Sequence, residues 1–305
     1  KYDIPVIEKL YPTTRFEKSK VMDTIVMSRL IYTNLKETDE KLVMKGSLPS
    51  KMRGAQSLES WGYRLGVLKD EYQGGWESWN QDMEDYCVQD VEVTDKLAKH
   101  LLSLKYSSEA VRLEHDVAWI ICRQERYGFA FDEAAGASLY ATLAGRRADL
   151  DVELKNIFGW WYGRDGKDLI PKKDNKARGY VAGCQLTKIK QIYFNPSSRD
   201  MIAARLTKLY GWKPKEFTDS GKPKVDETTL SGLKYPQVVK LVEYLTIDKR
   251  IGQLAEGEQA WLKVVRNGAI YGGVITNGAV TGRMTHSRPN VAQVPRVGSL
   301  YGEDC

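Results

Sequence analysis

Two groups of residues in this sequence are of types and spacings that could do chemistry. In Tyr86-Cys87-Val88-Gln89-Asp90 a phenol precedes a carboxylate by four residues. On a helix that spacing puts both side chains on one face, one turn apart. A further carboxylate is Asp3. Aspartates from separate elements are what a hard ion such as Mg²⁺ takes as ligands. Two such ions about 4 Å apart cleave phosphodiesters, one generating hydroxide and the other stabilising the leaving oxygen. A nearby tyrosine can hold the attacking water. The plainer reading of the pentapeptide alone is a hydrogen-bonding pair on a solvated helix. The second group is Thr281-Gly282-Arg283-Met284-Thr285-His286-Ser287-Arg288-Pro289-Asn290-Val291-Ala292-Gln293-Val294-Pro295. It offers Arg, Asn and Gln side chains on a backbone kept irregular by Gly and Pro. Such donors suit phosphates and the acceptors of the DNA minor groove, which are nearly independent of base sequence. A polar surface loop with one buried arginine is the plainer alternative here.

The elements that must position these groups are mostly helical. Residues 1–20 read as a strand end and a loop. Asp23 to Leu35 has rough helical spacing of Ile25, Met27, Leu30 and Ile31. A loop over Lys45 to Ala55 follows, then a helix over Ser57 to Leu65 with Ser57 as its cap and a loop from Gly66 to Gly75. Asn80 to Lys105 is a long amphipathic helix with Met83, Val88, Val91, Leu97, Leu101 and Leu104 on one broad face. A helix from about Ser108 turns Val111, Ala118, Ile121 and Cys122 inward and stops at Tyr127-Gly128. Ala134 to Ile157 is a third long helix. Gly159 to Tyr193 shows little periodicity. Ser197 or Ser198 caps a helix to Tyr210, with Ser197-x-x-Asp200 approximating a capping box. Pro236 starts a last long helix through about Val265. Asn267-Gly268 signals a hairpin turn, and Thr276 to Pro295 is irregular.

The 305 residues suffice for two ordinary domains, and the 42% apolar share supports sizeable cores. No stretch approaches the roughly 20 apolar residues of a membrane span, and no secretory signal is visible. Cys87, Cys122, Cys184 and Cys305 are widely spaced, without a CxxC pair, and read as reduced thiols rather than a disulfide framework or zinc site. The net charge is +6, and it is concentrated: Gly159 to Tyr193 holds eight Lys or Arg against three Asp, leaving the remainder close to neutral.

Several of these stretches resemble the family A DNA polymerases of T-seven-type bacteriophages. Lys1-Tyr2-Asp3 looks like the end of the family's second exonuclease motif, and Asp23-Thr24 with Ser28-Arg29-Leu30 matches the helix after it. Leu58 to Gly66 is close to the phage segment, and Tyr86 to Asp90 matches the third exonuclease motif. Thr281 to Pro295 resembles the junction of thumb and palm, flanked by Asn277 to Val280 and Tyr301 to Cys305. Phe194 to Asp200 and Lys249-Arg250-Ile251-Gly252-Gln253 also agree. The resemblance implies an α/β but mostly helical fragment. Residues 1–106 would be the later part of a ribonuclease H-like 3′→5′ exonuclease domain, and 107–265 a helical thumb with a basic insertion at 159–193. Residues 266–305 would begin an antiparallel palm. It implies Asp3 and Asp90 as Mg²⁺ ligands, Tyr86 as the residue positioning the water, and Arg283, Asn290 and Gln293 as contacts to the primer–template duplex. Lys249, Arg250 and Gln253 would reach phosphates. The family's first exonuclease motif, an Asp-x-Glu, and the palm aspartates have no counterpart, so these residues alone are expected to be inactive. The resemblance further implies primer–template DNA and dNTPs as partners of the whole enzyme, and the cytoplasm of an infected bacterial host.

In such phage enzymes the insertion recruits host thioredoxin as a processivity factor. Here it keeps Trp161-Tyr162 and Tyr180 to Gly183 but is shorter. Two roles remain for Trp161, Lys172, Lys173, Lys176 and Arg178: docking thioredoxin, or tethering duplex DNA electrostatically. A stand-alone exonuclease with a tyrosine-bearing third motif and a helical accessory domain, and a non-catalytic DNA-binding module, are the alternative readings of the chain.

Overall fold

The computed structural model describes residues 2–67, 72 and 74–303. Lys1, positions 68–71 and 73 of the loop expected after Gly66, and the Asp304-Cys305 flank lie outside the described residues. The first element is helix α1 (Asp3–Leu10), not the expected strand end. Ile4, Val6 and Ile7 give the stretch a strand-like composition, but none of them is buried and no sheet face claims them. Asp3 in the first turn and Lys9 in the last suit the helix dipole instead.

Helix α2 (Thr24–Ile31) is capped by the Asp23 carboxylate, which accepts from the amides of Ile25 and Val26. The expected run to Leu35 stops at Tyr32, and short helices α3 (Leu35–Thr38) and α4 (Glu40–Met44) follow. Helix α5 (Leu58–Leu65) starts on the Ser57 cap and ends on left-handed Gly66. Helix α6 (Gln81–Ser103) is capped by Asn80. Its buried face is Val93, Leu97 and Leu101, whereas Val88 and Val91, expected there, are 52% and 68% exposed. Helix α7 (Ser108–Tyr127) is capped by Ser107 and buries Ile121 and Cys122 before Gly128. Strand β1 (Phe129–Ala130) leads to helix α8 (Glu133–Phe158).

The segment expected to lack periodicity is a hairpin. Strands β2 (Trp160–Arg164) and β3 (Ile189–Tyr193) pair antiparallel from Trp160 opposite Tyr193 to Arg164 opposite Ile189. Bridges between Leu169 and Leu186 and between Asn175 and Tyr180 carry the pairing outward. Helix α9 (Arg199–Tyr210) is capped by Ser198 through the Met201 amide, so the box read from Ser197 is displaced by one residue. Helix α10 (Glu227–Ser231) precedes α11 (Pro236–Ile251). The long helix expected to Val265 breaks after Ile251. A π-helical turn over Gly252–Glu256 widens the ladder, and the Gly257 amide donates to the Gly252 carbonyl at 3.0 Å. A Cβ at Gly257 would meet that carbonyl oxygen, which is why glycine stands at the break. Helix α12 (Trp261–Val264) resumes beyond it.

Asn267 and Gly268 both have positive φ, 51° and 68°, as a tight turn requires. The hairpin expected across that turn does not form. Strand β4 (Ala269–Ile270) pairs antiparallel with β1 instead. Strands β5 (Gly273–Ile275) and β6 (Thr285–Ser287) make the third two-stranded sheet among the described residues.

The chain forms two compact units. One comprises residues 1–130 and 269–293. Its core joins Met27, Leu35, Trp61, Leu97 and Leu101. The other comprises residues 131–268 and 294–305. There Leu143, Leu150, Leu154 and Phe158 of α8 pack on Leu241, Leu245, Ile247 and Ile251 of α11. Arg146 of α8 clasps the Glu243 carboxylate at 2.7 and 2.9 Å, and Arg147 donates to Asp248 at 3.1 Å.

Candidate nucleic-acid interface

In the first unit, β5 and β6 hold Gly273 opposite Ser287, Val274 opposite His286 and Ile275 opposite Thr285. The loop between them folds tightly. The Ala279 amide donates to the Arg283 carbonyl at 3.1 Å, and the Gly282 amide to the Ala279 carbonyl at 2.9 Å. Gly282, at φ +77°, lets the chain reverse there. The loop leaves the Arg283 side chain exposed. Beyond β6, Arg288 lies at φ +58° before buried Pro289. The Asn290 carboxamide oxygen accepts from the Ala292 amide at 3.1 Å and so starts the short turn Val291–Gln293. Gly272 packs so close to Pro289 and Val291 that a Cβ there would press on both. Arg283, Asn290 and Gln293 therefore stand on one short, internally braced stretch. A guanidinium and two carboxamides so presented can donate to groove acceptors and phosphates.

The same unit carries the first chemical group. Tyr86 and Asp90 lie one turn apart on α6, as the spacing requires, and Thr94 one turn further donates to the Asp90 carbonyl at 2.7 Å. The Tyr86 ring sits against Tyr72 and Trp76, with centroids 5.8 and 6.1 Å away. Asp3, in the first turn of α1, lines a cavity of about 670 Å³ together with Asp23, Arg29, Thr94 and His115. Burial pulls the Arg29 guanidinium below its ordinary range, opposed by the charge of Asp23. The Asp23 amide donates to His115 Nε2 at 2.8 Å, so Nδ1 carries the proton and donates to the Val111 carbonyl at 2.7 Å. No three His, Cys, Asp or Glu side chains among the described residues cluster to hold a metal ion. The donor set they present does not fit a two-ion centre.

The second unit carries the remaining candidates. Arg250 donates to the Gln253 carboxamide at 3.2 Å, while the Lys249 ammonium, on the same helix end, lies 4.0 Å from Glu227. At the root of the hairpin, Phe158 stacks on Phe194 with centroids 4.5 Å apart, both fully buried. Trp161 turns inward, packs against this core and takes the Arg205 guanidinium 4.8 Å over its ring. Trp160 and Tyr162 face outward on the alternate side, 49% and 64% exposed. At the far end Asn175 caps a turn over Lys176–Arg178.

The hairpin's three acids are engaged within it. Asp165 pairs with Lys190 at 3.1 Å, Asp168 with Arg164 at 3.4 Å, and Asp174 accepts from the Ala182 amide at 2.7 Å. Lys172, Lys173, Lys176 and Arg178 are all exposed. None of the four has a carboxylate within ion-pair distance among the described residues. Arg205, which braces Trp161, and Glu125, whose carboxylate accepts from the Val274 amide of β5 at 2.7 Å, are residues that sequence reasoning missed. Their partners lie far off in the chain, and no local pattern marks them.

No helix among the described residues is long and apolar enough to cross a membrane. No family model matches the sequence. The whole chain aligns at 40% identity with the DNA-directed DNA polymerase of Enterobacteria phage T3 and, equally, with that of Escherichia phage T7. It spans 55% of the length of each. The alignments run over 390 positions against the chain's 305 residues, so both relatives carry stretches inside the matched span that this chain lacks. Among solved structures, the POL domain of Pol1 from M. smegmatis, in complex with DNA primer-template and dNTP, matches with a TM-score of 0.61. That match covers 92% of this chain and 40% of the other, at 14% identity. The mostly helical architecture with small sheets is that of a polymerase domain. Over its whole length the chain is similar to the T3 and T7 DNA-directed DNA polymerases, of which it spans about half.

Proposed function

We propose that this chain is the part of a family A phage replicative DNA polymerase that grips the primer–template duplex. Residues 1–106 belong to a linked 3′→5′ proofreading exonuclease of ribonuclease H-like ancestry, 107–265 to the thumb, and 266–305 to the start of the palm. The observation that carries this reading is the braced stretch 276–293, where a tight loop and a capped turn fix the backbone that carries Arg283, Asn290 and Gln293. In the other unit, Lys249, Arg250 and Gln253 are the residues that reach phosphates. Tyr86, Asp90 and Asp3 are the exonuclease residues of the whole protein; magnesium is the ion expected for that protein and for synthesis from dNTPs, at a centre these two carboxylates alone do not complete. The site of action is the cytoplasm of an infected bacterium. The test is binding of this chain to a recessed-end primer–template against a blunt duplex and a single strand of equal length. Preference for the recessed end is the expected result, and equal binding to all three contradicts the reading.

The hairpin at 159–193 acts as an electrostatic tether on the duplex. Its acids are consumed internally while Lys172, Lys173, Lys176 and Arg178 are left to solvent, so the tip is a net cation aimed outward. Neutralising these four together should flatten the plot of log affinity against log salt by about 3 to 4, at roughly 0.9 for each phosphate no longer neutralised. An unchanged slope in a salt titration would remove the tether. Host thioredoxin is the second reading, favoured by the exposed Trp160 and Tyr162 faces. Reduced thioredoxin retained equally by the chain and by a 159–193 deletion would end it.

A further inference from the structure

We infer that Glu125 is a positioning residue for Arg283, acting through the main chain of β5. This inference rests on the reading of 276–293 as a duplex-gripping stretch. The Glu125 carboxylate accepts from the Val274 amide at 2.7 Å, across 149 residues of sequence. Val274 is 1% exposed and faces His286 across the β5–β6 pair. A strand amide can point to one edge only, and this one points to Glu125, so it lies on the edge of β5 away from β6. Among the described residues no third strand pairs with that edge, and a buried amide without an acceptor is costly. Glu125 supplies the acceptor from the last turn of α7, a 20-residue helix pinned by buried Ile121 and Cys122.

The consequence reaches Arg283 along a short path. Strand β5 is in register with β6, and the loop they close is the one whose Ala279–Arg283 hydrogen bond presents the guanidinium. A carboxylate on a rigid helix thus fixes one rail of the hairpin that carries the DNA contact. Without it β5 can shift along its outer edge, and the loop shifts with it.

The experiment is primer–template binding by the 305-residue chain, read by fluorescence anisotropy, with folding followed by far-UV circular dichroism. Glu125→Ala should weaken binding on the order of tenfold, the size expected when a charged acceptor is removed. Glu125→Gln keeps an acceptor oxygen at the same reach and should bind within about twofold of the parent. If Glu125→Ala does not fold, Glu125→Asp, one methylene too short, carries the same expectation as the Ala variant. In an Arg283→Ala background, removing Glu125 should add less than about twofold, because the two act as one unit. Full additivity, or parental affinity for Glu125→Ala, overturns the positioning role while leaving the duplex reading standing. Parental affinity for Arg283→Ala itself overturns the duplex reading, and this inference with it.

Discussion

Replacing Arg64 by alanine should destabilise the unit formed by residues 1–130 and 269–293 by about 3–5 kcal/mol, the range for breaking one side of a buried ion pair. Arg64 meets Asp39 in a two-pronged bond at 2.9 and 2.8 Å, with side-chain exposures of 6% and 0%. The same guanidinium donates to the Ala55 carbonyl at 2.8 Å and lies 4.9 Å over the Trp61 ring. Asp39 also accepts from the Gly54 amide at 2.7 Å. Alanine at 64 therefore leaves a buried carboxylate with the Gly54 amide but without its ion-pair partner, and unties the loop at 53–55 from α5. Urea denaturation gives the loss directly. A double substitution, Asp39→Ala with Arg64→Leu, should recover much of it, because no uncompensated charge remains.

The same pair sets an acid limit. Burial pushes the Asp39 carboxyl up, but the Arg64 hydrogen bonds, the Gly54 amide and the charges of Arg64 and Arg53 outweigh it, and the net shift is below the ordinary 3.8. A depressed carboxyl stabilises the fold above its unfolded value and loses that contribution as pH falls through the folded one. The stability difference between the parent and Arg64→Ala should hold at neutral pH and shrink below about pH 4.

The second large effect is functional. Arg283→Ala in the full-length polymerase should slow primer extension by about 10- to 100-fold, corresponding to removal of one multiply hydrogen-bonded groove interaction. On the proposed assignment of Tyr86 and Asp90 to a linked exonuclease, hydrolysis of a single strand should remain near parental, since both lie on α6 and not on the β5–β6 loop. Arg283→Lys should recover only part of the rate: an ammonium keeps the charge but not the planar fork of donors. Single-turnover extension beside single-strand degradation reads both. Equal losses in the two activities would mean that Arg283 supports the fold rather than the duplex.

Much of this molecule is legible in its sequence. The cap at Ser57, the stop at Gly128 and the helical runs beginning near Asp23, Asn80 and Ala134 are local signals, and helices form where those signals lie. Sequence and structure part where non-local pairing decides. Trp160, Trp161 and Tyr162 on one side and Ile189, Ile192 and Tyr193 on the other have strand composition, but the charged segment between them hides the pairing. Strand β4 pairs with β1, more than a hundred residues earlier, and no turn signal at Asn267-Gly268 can report that. The break of α11 is written in the glycines at 252 and 257, but a π-helical turn and a simple helix end look alike in sequence. Residues 3–10 show the reverse case: β-branched composition without a sheet to join gives a helix.

The candidate interface was legible as a composition and not as a geometry. Arg283, Asn290 and Gln293 stand out as donors on a Gly- and Pro-rich stretch, yet the Glu125 bond that braces β5 spans too much sequence for any pattern to reveal it. In the hairpin the excess of bases was plain, but the internal use of Asp165, Asp168 and Asp174, which leaves the tip cationic, was not.

The most direct measurement is photo-crosslinking from the 276–284 loop. Met284 is 41% exposed beside Arg283, so a benzophenone side chain can stand there without entering the core. On irradiation with a labelled primer–template, crosslinks to the duplex should form close to the primer terminus and disappear when excess unlabelled primer–template competes. Crosslinks scattered evenly along the duplex, or none while the chain remains bound to DNA, would contradict it.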